Sequence, residues 1–308
     1  MGESFLTVAQ QVMSLFLLIG IGAICGKTKI LNTAAVKSCA DLVLLFSTPC
    51  VIVQSFQRPL DASMLSGLGI AALAAVGVHI VSIGIARLVF RDADRTRRTV
   101  LRFGTVFSNA GYMALPLQQA LLGSEGVFYG AAYVAVFNLF LWSYGLLTMS
   151  GDRSTITPRK LLLNPGMIGL LVGLPLFLLS WSLPEVVMSP VRHLAALNTP
   201  VPMLIIGFYL ADTNLRAALR DRRGYIVMAL RLVVIPLITV GALWLCGVGS
   251  TVLVACTIAA SAPVAAATTM FATKYEQDTR LSVNLVSLST LLSMITMPLI
   301  VGLSRVLA

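Results

Sequence analysis

Charge is scarce in this chain of 308 residues: Asp, Glu, Lys and Arg together make up 11% of it. Soluble domains carry about 25%, and a water-soluble fold of this size could not cover itself with so few charges. Hydrophobic residues reach 57% and the mean hydropathy is +0.91. The bilayer is therefore the expected solvent for most of the chain. Acidic groups are scarcer than basic ones, 12 against 22. The basic surplus sits in short clusters between apolar runs, with no stripe interleaved with aromatics, which excludes a nucleic-acid surface.

The five cysteines (Cys25, Cys39, Cys50, Cys246, Cys256) lie in or beside apolar runs, without CxxC or Cys/His spacing. They indicate packing residues, neither a metal site nor a disulfide framework. HExxH, GxSxG and Walker sequences are missing too. An intramembrane aspartyl protease needs two carboxylates close together, and only Asp41 lies well inside an apolar run. No filter sequence or pore-lining ring of a channel stands out. Neither an enzyme nor a cofactor is expected. The start, Met1-Gly2-Glu3-Ser4, lacks a positive n-region, and the apolar run after it exceeds a signal-peptide core, so a retained first helix is expected.

What is present is a series of long apolar runs. A crossing needs about 20 mostly apolar residues, which marks ten spans: 5–25, 36–57, 65–90, 100–121, 126–149, 163–182, 192–212, 225–247, 250–273 and 282–305. With the N-terminus outside, only Arg58, Arg192 and Arg305 of the 22 basic residues fall outside. Arg231 is counted with an inside flank. That bias places both termini outside, in a plasma (inner) membrane.

The halves resemble each other. Leu45-Phe46-Ser47-Thr48-Pro49 in span 2 matches Leu197-Asn198-Thr199-Pro200 in span 7, the Thr-Pro pairs lying 151 residues apart. Ser108-Asn109-Ala110-Gly111-Tyr112-Met113-Ala114-Leu115-Pro116 interrupts span 4. At nearly the same offset, Ser261-Ala262-Pro263 through Thr268-Thr269 interrupts span 9. Five spans per half make the second half enter from the opposite side, the inverted repeat that marks secondary-transporter sites. The expected fold is an all-α membrane protein with broken, crossing spans 4 and 9. Residues 1–149 form one repeat, 150–162 a cytoplasmic linker and 163–308 the other.

The breaks are where chemistry is expected. Half-helix N-termini present free N–H groups and about half a positive charge each, enough to hold a carboxylate without a buried Arg or Lys. None is expected at the middle of a span. The candidate substrate-binding side chains are Ser108, Asn109, Tyr112, Ser261 and Thr268, with Thr269 beside them. Asn109 offers donor and acceptor together. Helix–helix bonding is the competing reading for all of them. Gly111, Pro116 and Pro263 are shape residues at the break. Asp41 and His79 are candidates for coupling, against an interfacial Lys37–Asp41 pair and a hydrogen-bonded packing histidine. Asn138 and Asn284 hold roughly corresponding places in spans 5 and 10.

The 108–117 stretch resembles the fourth-helix motif of the auxin efflux carrier family. Ser261-Ala262-Pro263 through Met270-Phe271-Ala272-Thr273-Lys274-Tyr275, with Ser287-Leu288-Ser289-Thr290-Leu291-Leu292, resembles its ninth and tenth helices. Asn164-Pro165 is also typical, and the likeness covers nearly the whole chain. The resemblance implies a scaffold (5–57 and 163–212), usually dimeric, and a transport domain (65–149 and 225–305). Substrate would bind by the crossing of spans 4 and 9, with an elevator-like shift. Asn109 takes the place of the plant carriers' crossover asparagine, and Ser108 stands where they usually have proline. Compact relatives of this kind are described as permeases for malate or malonate. A secondary transporter for a small organic anion, embedded in membrane lipid and homodimeric, is the resulting expectation. A sodium-coupled symporter of the same plan and a non-transporting ligand-binding receptor or scaffold are the alternatives.

Overall fold

The structure, a computed structural model, describes residues 2–157, 159, 162–211 and 221–308. Lys160, Arg216 and Arg220 of the charge count, and the last residue of span 7, lie outside them. The described residues form helices α1 (Gly2–Lys27), α2 (Thr33–Ser55), α3 (Ala62–Val89), α4 (Arg95–Val106), α5 (Ala110–Ser150) and α6 (Pro165–Leu178). After these come α7 (Glu185–Ala196), α8 (Pro200–Ala211), α9 (Arg222–Leu245), α10 (Ser250–Ser261), α11 (Ala267–Lys274) and α12 (Thr279–Leu307). Among the described residues no strand occurs beyond one isolated bridge.

Six segments are long and apolar enough to cross a membrane by themselves: α2, α3, α5, α7 with α8, α9 and α12. At 41 residues, α5 is twice the length that a crossing needs, and it bends at Gly123, whose φ of 65° is left-handed. That bend falls in the gap expected between spans 4 and 5. Span 7 starts earlier than its hydropathy suggests, at Glu185, so Arg192 lies inside α7. Polar residues cap the helices where the apolar runs begin. Asn32, Asp61, Asp94, Asn164, Asp221 and Asp278 each accept a backbone N–H of the first turn, which satisfies donors that would otherwise be orphaned. The hydroxyl and N–H of Ser63 hold the Asp61 carboxyl below its usual range, and Thr96 does the same for Asp94.

Three helices widen into a five-residue π turn just ahead of a proline: Val43–Ser47 before Pro49, Ala110–Ala114 before Pro116, and Leu230–Val234 before Pro236. Proline lacks an N–H and its ring presses on the carbonyl four residues back. A wider turn relieves that clash and keeps the helix going.

The connections gather at two ends. Arg97 pairs with Asp221 at 2.6 Å, Arg223 with Asp92 at 3.4 Å, and Gln277 donates to the Met149 carbonyl at 2.9 Å. At the other end Arg58 donates to Ser124, the Leu60 N–H to Ser180, the Leu183 N–H to Gln57, and Arg305 to the Leu121 carbonyl.

Between these ends, α1 packs along α8 and the later turns of α2 pack along α6. Glycine permits both approaches. A Cβ on Gly207 would lie 2.0 Å from the Ile19 carbonyl oxygen, and one on Gly22 would lie 2.3 Å from that of Leu204. Across the other pair, a Cβ on Gly169 would meet Pro49 and Ile52 at 3.0 Å. Gly207→Ala is therefore expected to force α1 from α8 at a cost of about 1–3 kcal/mol. A detergent melt checks it, and an unchanged midpoint would mean that this contact is not tight. The two Thr-Pro motifs meet nearby: the buried Thr48 hydroxyl donates to Asn198 Oδ1 at 3.1 Å.

Candidate functional site

Two interrupted helices meet at the centre of the bundle. After α4 the backbone turns extended at Phe107 (φ −99°, ψ 114°), and after α10 at Ala262 (φ −61°, ψ 147°). The two extended stretches pair antiparallel at Ser108 and Val264. The Asn109 N–H donates to the Pro263 carbonyl at 2.7 Å, and the Ala265 N–H to that of Phe107 at 2.9 Å. The Val264 N–H donates to Ser289 Oγ on α12 at 3.1 Å. In an apolar medium every freed backbone group needs such a partner. The pairing lets both helices stop at one depth without leaving these donors bare.

The chain breaks at Phe107–Asn109, so Pro116 does not stand at the interruption. It stands seven residues beyond Asn109, where it widens the first turns of α5 instead. Pro263 is at the second break, buried, and its carbonyl is half of the pairing. A Cβ on Gly111 would meet nothing within 4 Å, so open space lies beside the start of α5.

The polar side chains divide into those already engaged and those free. Ser261 donates to the Ile258 carbonyl of its own helix at 3.1 Å, so its hydroxyl is engaged within α10. Ser108 lies beside the Tyr133 hydroxyl. Asn109 Nδ2 and Thr268 Oγ1 are buried without a partner, Asn109 being 4% and Thr268 0% exposed. Both residues follow the break in their own segment, at the N-terminal ends of α5 and α11. Tyr112 is half-buried, with Asp41 and Tyr209 as its electrostatic neighbours. Thr269 accepts from Ser282 at 3.4 Å.

Asp41 and Lys37 are both exposed, and the described ion pairs do not join them. The expected Lys37–Asp41 bridge is absent there; the carboxylate's electrostatic neighbour is Tyr112. His79 is 1% exposed and sits among the rings of Phe107, Tyr133, Phe137 and Phe140, stacked on the last at 4.8 Å. Its Nδ1 lies 2.7 Å from the Ala75 carbonyl and so carries the proton. Nε2 is left unpartnered. Asn138 donates to the Val134 carbonyl and lies where a Cβ on Gly166 would go.

One buried feature escaped the sequence. Contrary to the expectation of no buried base at mid-span, Arg231 is fully buried. It lies nine residues into α9, about 14 Å along the axis, close to the middle of a core about 30 Å thick. Its Nη1 donates to the carbonyls of Thr105 and Val106, and its Nη2 to that of Ala260. A span starting at residue 225 puts Arg231 only six residues from its end. The helix starts at Arg222, capped by Asp221, and that cap was the legible signal.

The described residues form a bundle of apolar helices with two paired interruptions, and comparison with known proteins gives its class as membrane transport. The model of the family described as "Membrane transport protein" matches residues 7–301, and the chain belongs to that family, which is the auxin efflux carrier family of the resemblance. The chain is also similar to an "Uncharacterized transporter" of Methanothermobacter thermautotrophicus, with 25% identity over 300 residues, covering 96% of this chain and 98% of that one.

Proposed function

We propose that the protein is a secondary transporter for a small organic anion, a mono- or dicarboxylate, bound where the two breaks cross. The observation that carries this reading is the pair of unpartnered buried donors, Asn109 Nδ2 and Thr268 Oγ1, at the N-terminal ends of the segments that follow the breaks. Helix N-termini favour anions, and an unmade hydrogen bond in a buried site is costly until a ligand supplies the acceptor. Ser108 and Tyr112 line the same turn. Ser261 serves the break's backbone instead.

In this reading the chain is ten spans in two inverted repeats. The packing supports it: α1 on α8 and α2 on α6 are the same contact exchanged between halves, and the Thr-Pro motifs meet at Thr48 and Asn198. The scaffold is 5–57 with 163–212, and the transport domain is 65–149 with 225–305. The latter moves as an elevator within a homodimer in the plasma membrane, with both termini outside. Asp41, beside Tyr112, and His79, behind Phe107, are the candidates for coupling ions to that movement.

Thermal stabilisation of the purified protein by a panel of small carboxylates tests the proposal, with and without sodium and at two pH values. A hundredfold excess over Kd should add about 2.7 kcal/mol. A dicarboxylate hit fixes the class, and dependence on sodium would favour the symporter. Binding without flux in liposomes would favour a receptor, and no shift with any anion would overturn the reading.

A further inference from the structure

The guanidinium of Arg231 is fully buried, with no carboxylate paired to it among the described residues. Its hydrogen-bond acceptors are three backbone carbonyls. Those carbonyls belong to two different helices. Thr105 and Val106 end α4, at 3.3 and 3.2 Å from Nη1, and Ala260 lies at the end of α10 against Nη2. Each helix C-terminus carries about half a negative charge. Two such ends together match one guanidinium, which accounts for how a cation persists there.

From these contacts we propose that Arg231 is a positioning residue for the anion site: its planar fork ties the C-terminal ends of both interrupted helices together. That tie sets the angle at which α5 and α11 leave the breaks, and with it where Asn109 and Thr268 point. Arg231 acts on the opposite side of the breaks from the substrate, whose expected place is at the N-terminal ends. By cancelling the negative ends it leaves the positive ends of α5 and α11 unopposed, which favours an anion. Lysine carries the charge but has no rigid fork to span two helix ends. The π turn at Leu230–Val234 carries the arginine. Its Nε is still unpartnered and its electrostatic neighbours are Tyr133 and His79.

The role in substrate placement rests on the anion reading above, whereas the tie between the helix ends does not. The experiment therefore has two arms. The amides of Asn109 and Ala265 bond across the breaks, so their hydrogen exchange reports the tie without any ligand. In Arg231→Lys and Arg231→Gln both amides should exchange about tenfold faster, the loss of one charge-assisted bond. Malonate is the probe for the second arm: its apparent KM in liposomes should rise by a similar factor in Arg231→Lys and further in Arg231→Gln. A merely structural defect would lower the active fraction and the maximal rate while leaving KM alone. If Arg231→Gln does not fold, Arg231→Lys decides both arms. Wild-type exchange in Arg231→Lys overturns the tie. Faster exchange with unchanged malonate KM overturns the positioning role. If the wild-type protein ignores malonate, the second arm uses the carboxylate of the panel that binds best; if none binds, the anion reading falls, and the exchange arm still decides the tie.

Discussion

Asn109→Ala lowers affinity for the best-binding carboxylate of the panel by at least about tenfold, the loss expected for one hydrogen bond to a charged group. Two observations set that size. The Asn109 amide nitrogen is buried and unpartnered, so it has an unmade bond for a ligand to complete. The break is held by the residue's backbone, whose N–H reaches the Pro263 carbonyl at 2.7 Å, and alanine keeps that bond. Melting of the empty protein should therefore stay near wild type while ligand-induced stabilisation disappears. Asn109→Asp makes the contrast sharper. It keeps the shape, adds a negative charge where an anion must come, and should bind more weakly than the alanine variant. Equal affinity in purified wild-type and Asn109→Ala protein would remove Asn109 from the site.

The second large effect is expected at Pro263. Proline forces the residue before it out of the helical region, and Ala262 is extended with ψ 147°. Proline also brings no N–H to a buried stretch in which the Val264 and Ala265 donors are already paired. In Pro263→Ala, residue 262 regains access to helical angles, and the new donor finds its best partner within a continued helix. The segment 250–274 then tends toward one uninterrupted helix. Flux in liposomes, normalised to folded protein, should fall by about tenfold or more, while the melting temperature holds or rises because alanine is the better helix former. Wild-type flux would mean that the second break is incidental to transport.

The membrane character and the place of the breaks were legible because they depend on local properties. Apolar runs must be long enough to cross, and proline biases the residue before it away from helical angles, as at Ala262. The first break was harder. Pro116 is the conspicuous residue of its motif, yet it only widens a turn, while Phe107–Asn109, with no proline, leaves the helix. Its extended geometry is repaid by hydrogen bonds to Pro263 and Ala265, residues more than 150 positions away in the chain. Local propensity carries no trace of such a partner. Ser261 and Asn109 look equivalent in sequence, and only the geometry turns one hydroxyl back on its helix and leaves the other amide free.

Composition and local motifs by themselves determined that this chain is rich in apolar helices and is interrupted near residues 108 and 262. The apolar content leaves no other solvent, and the two interrupting motifs are visible as residues at 108–116 and 261–269. Tertiary structure alone decided that the interruptions meet, that Asn109 and Thr268 stay unpartnered, and that Arg231 spans two helix ends. Each of these depends on which distant carbonyl stands within about 3 Å of a donor, and the folded chain, not the order of its residues, sets that distance.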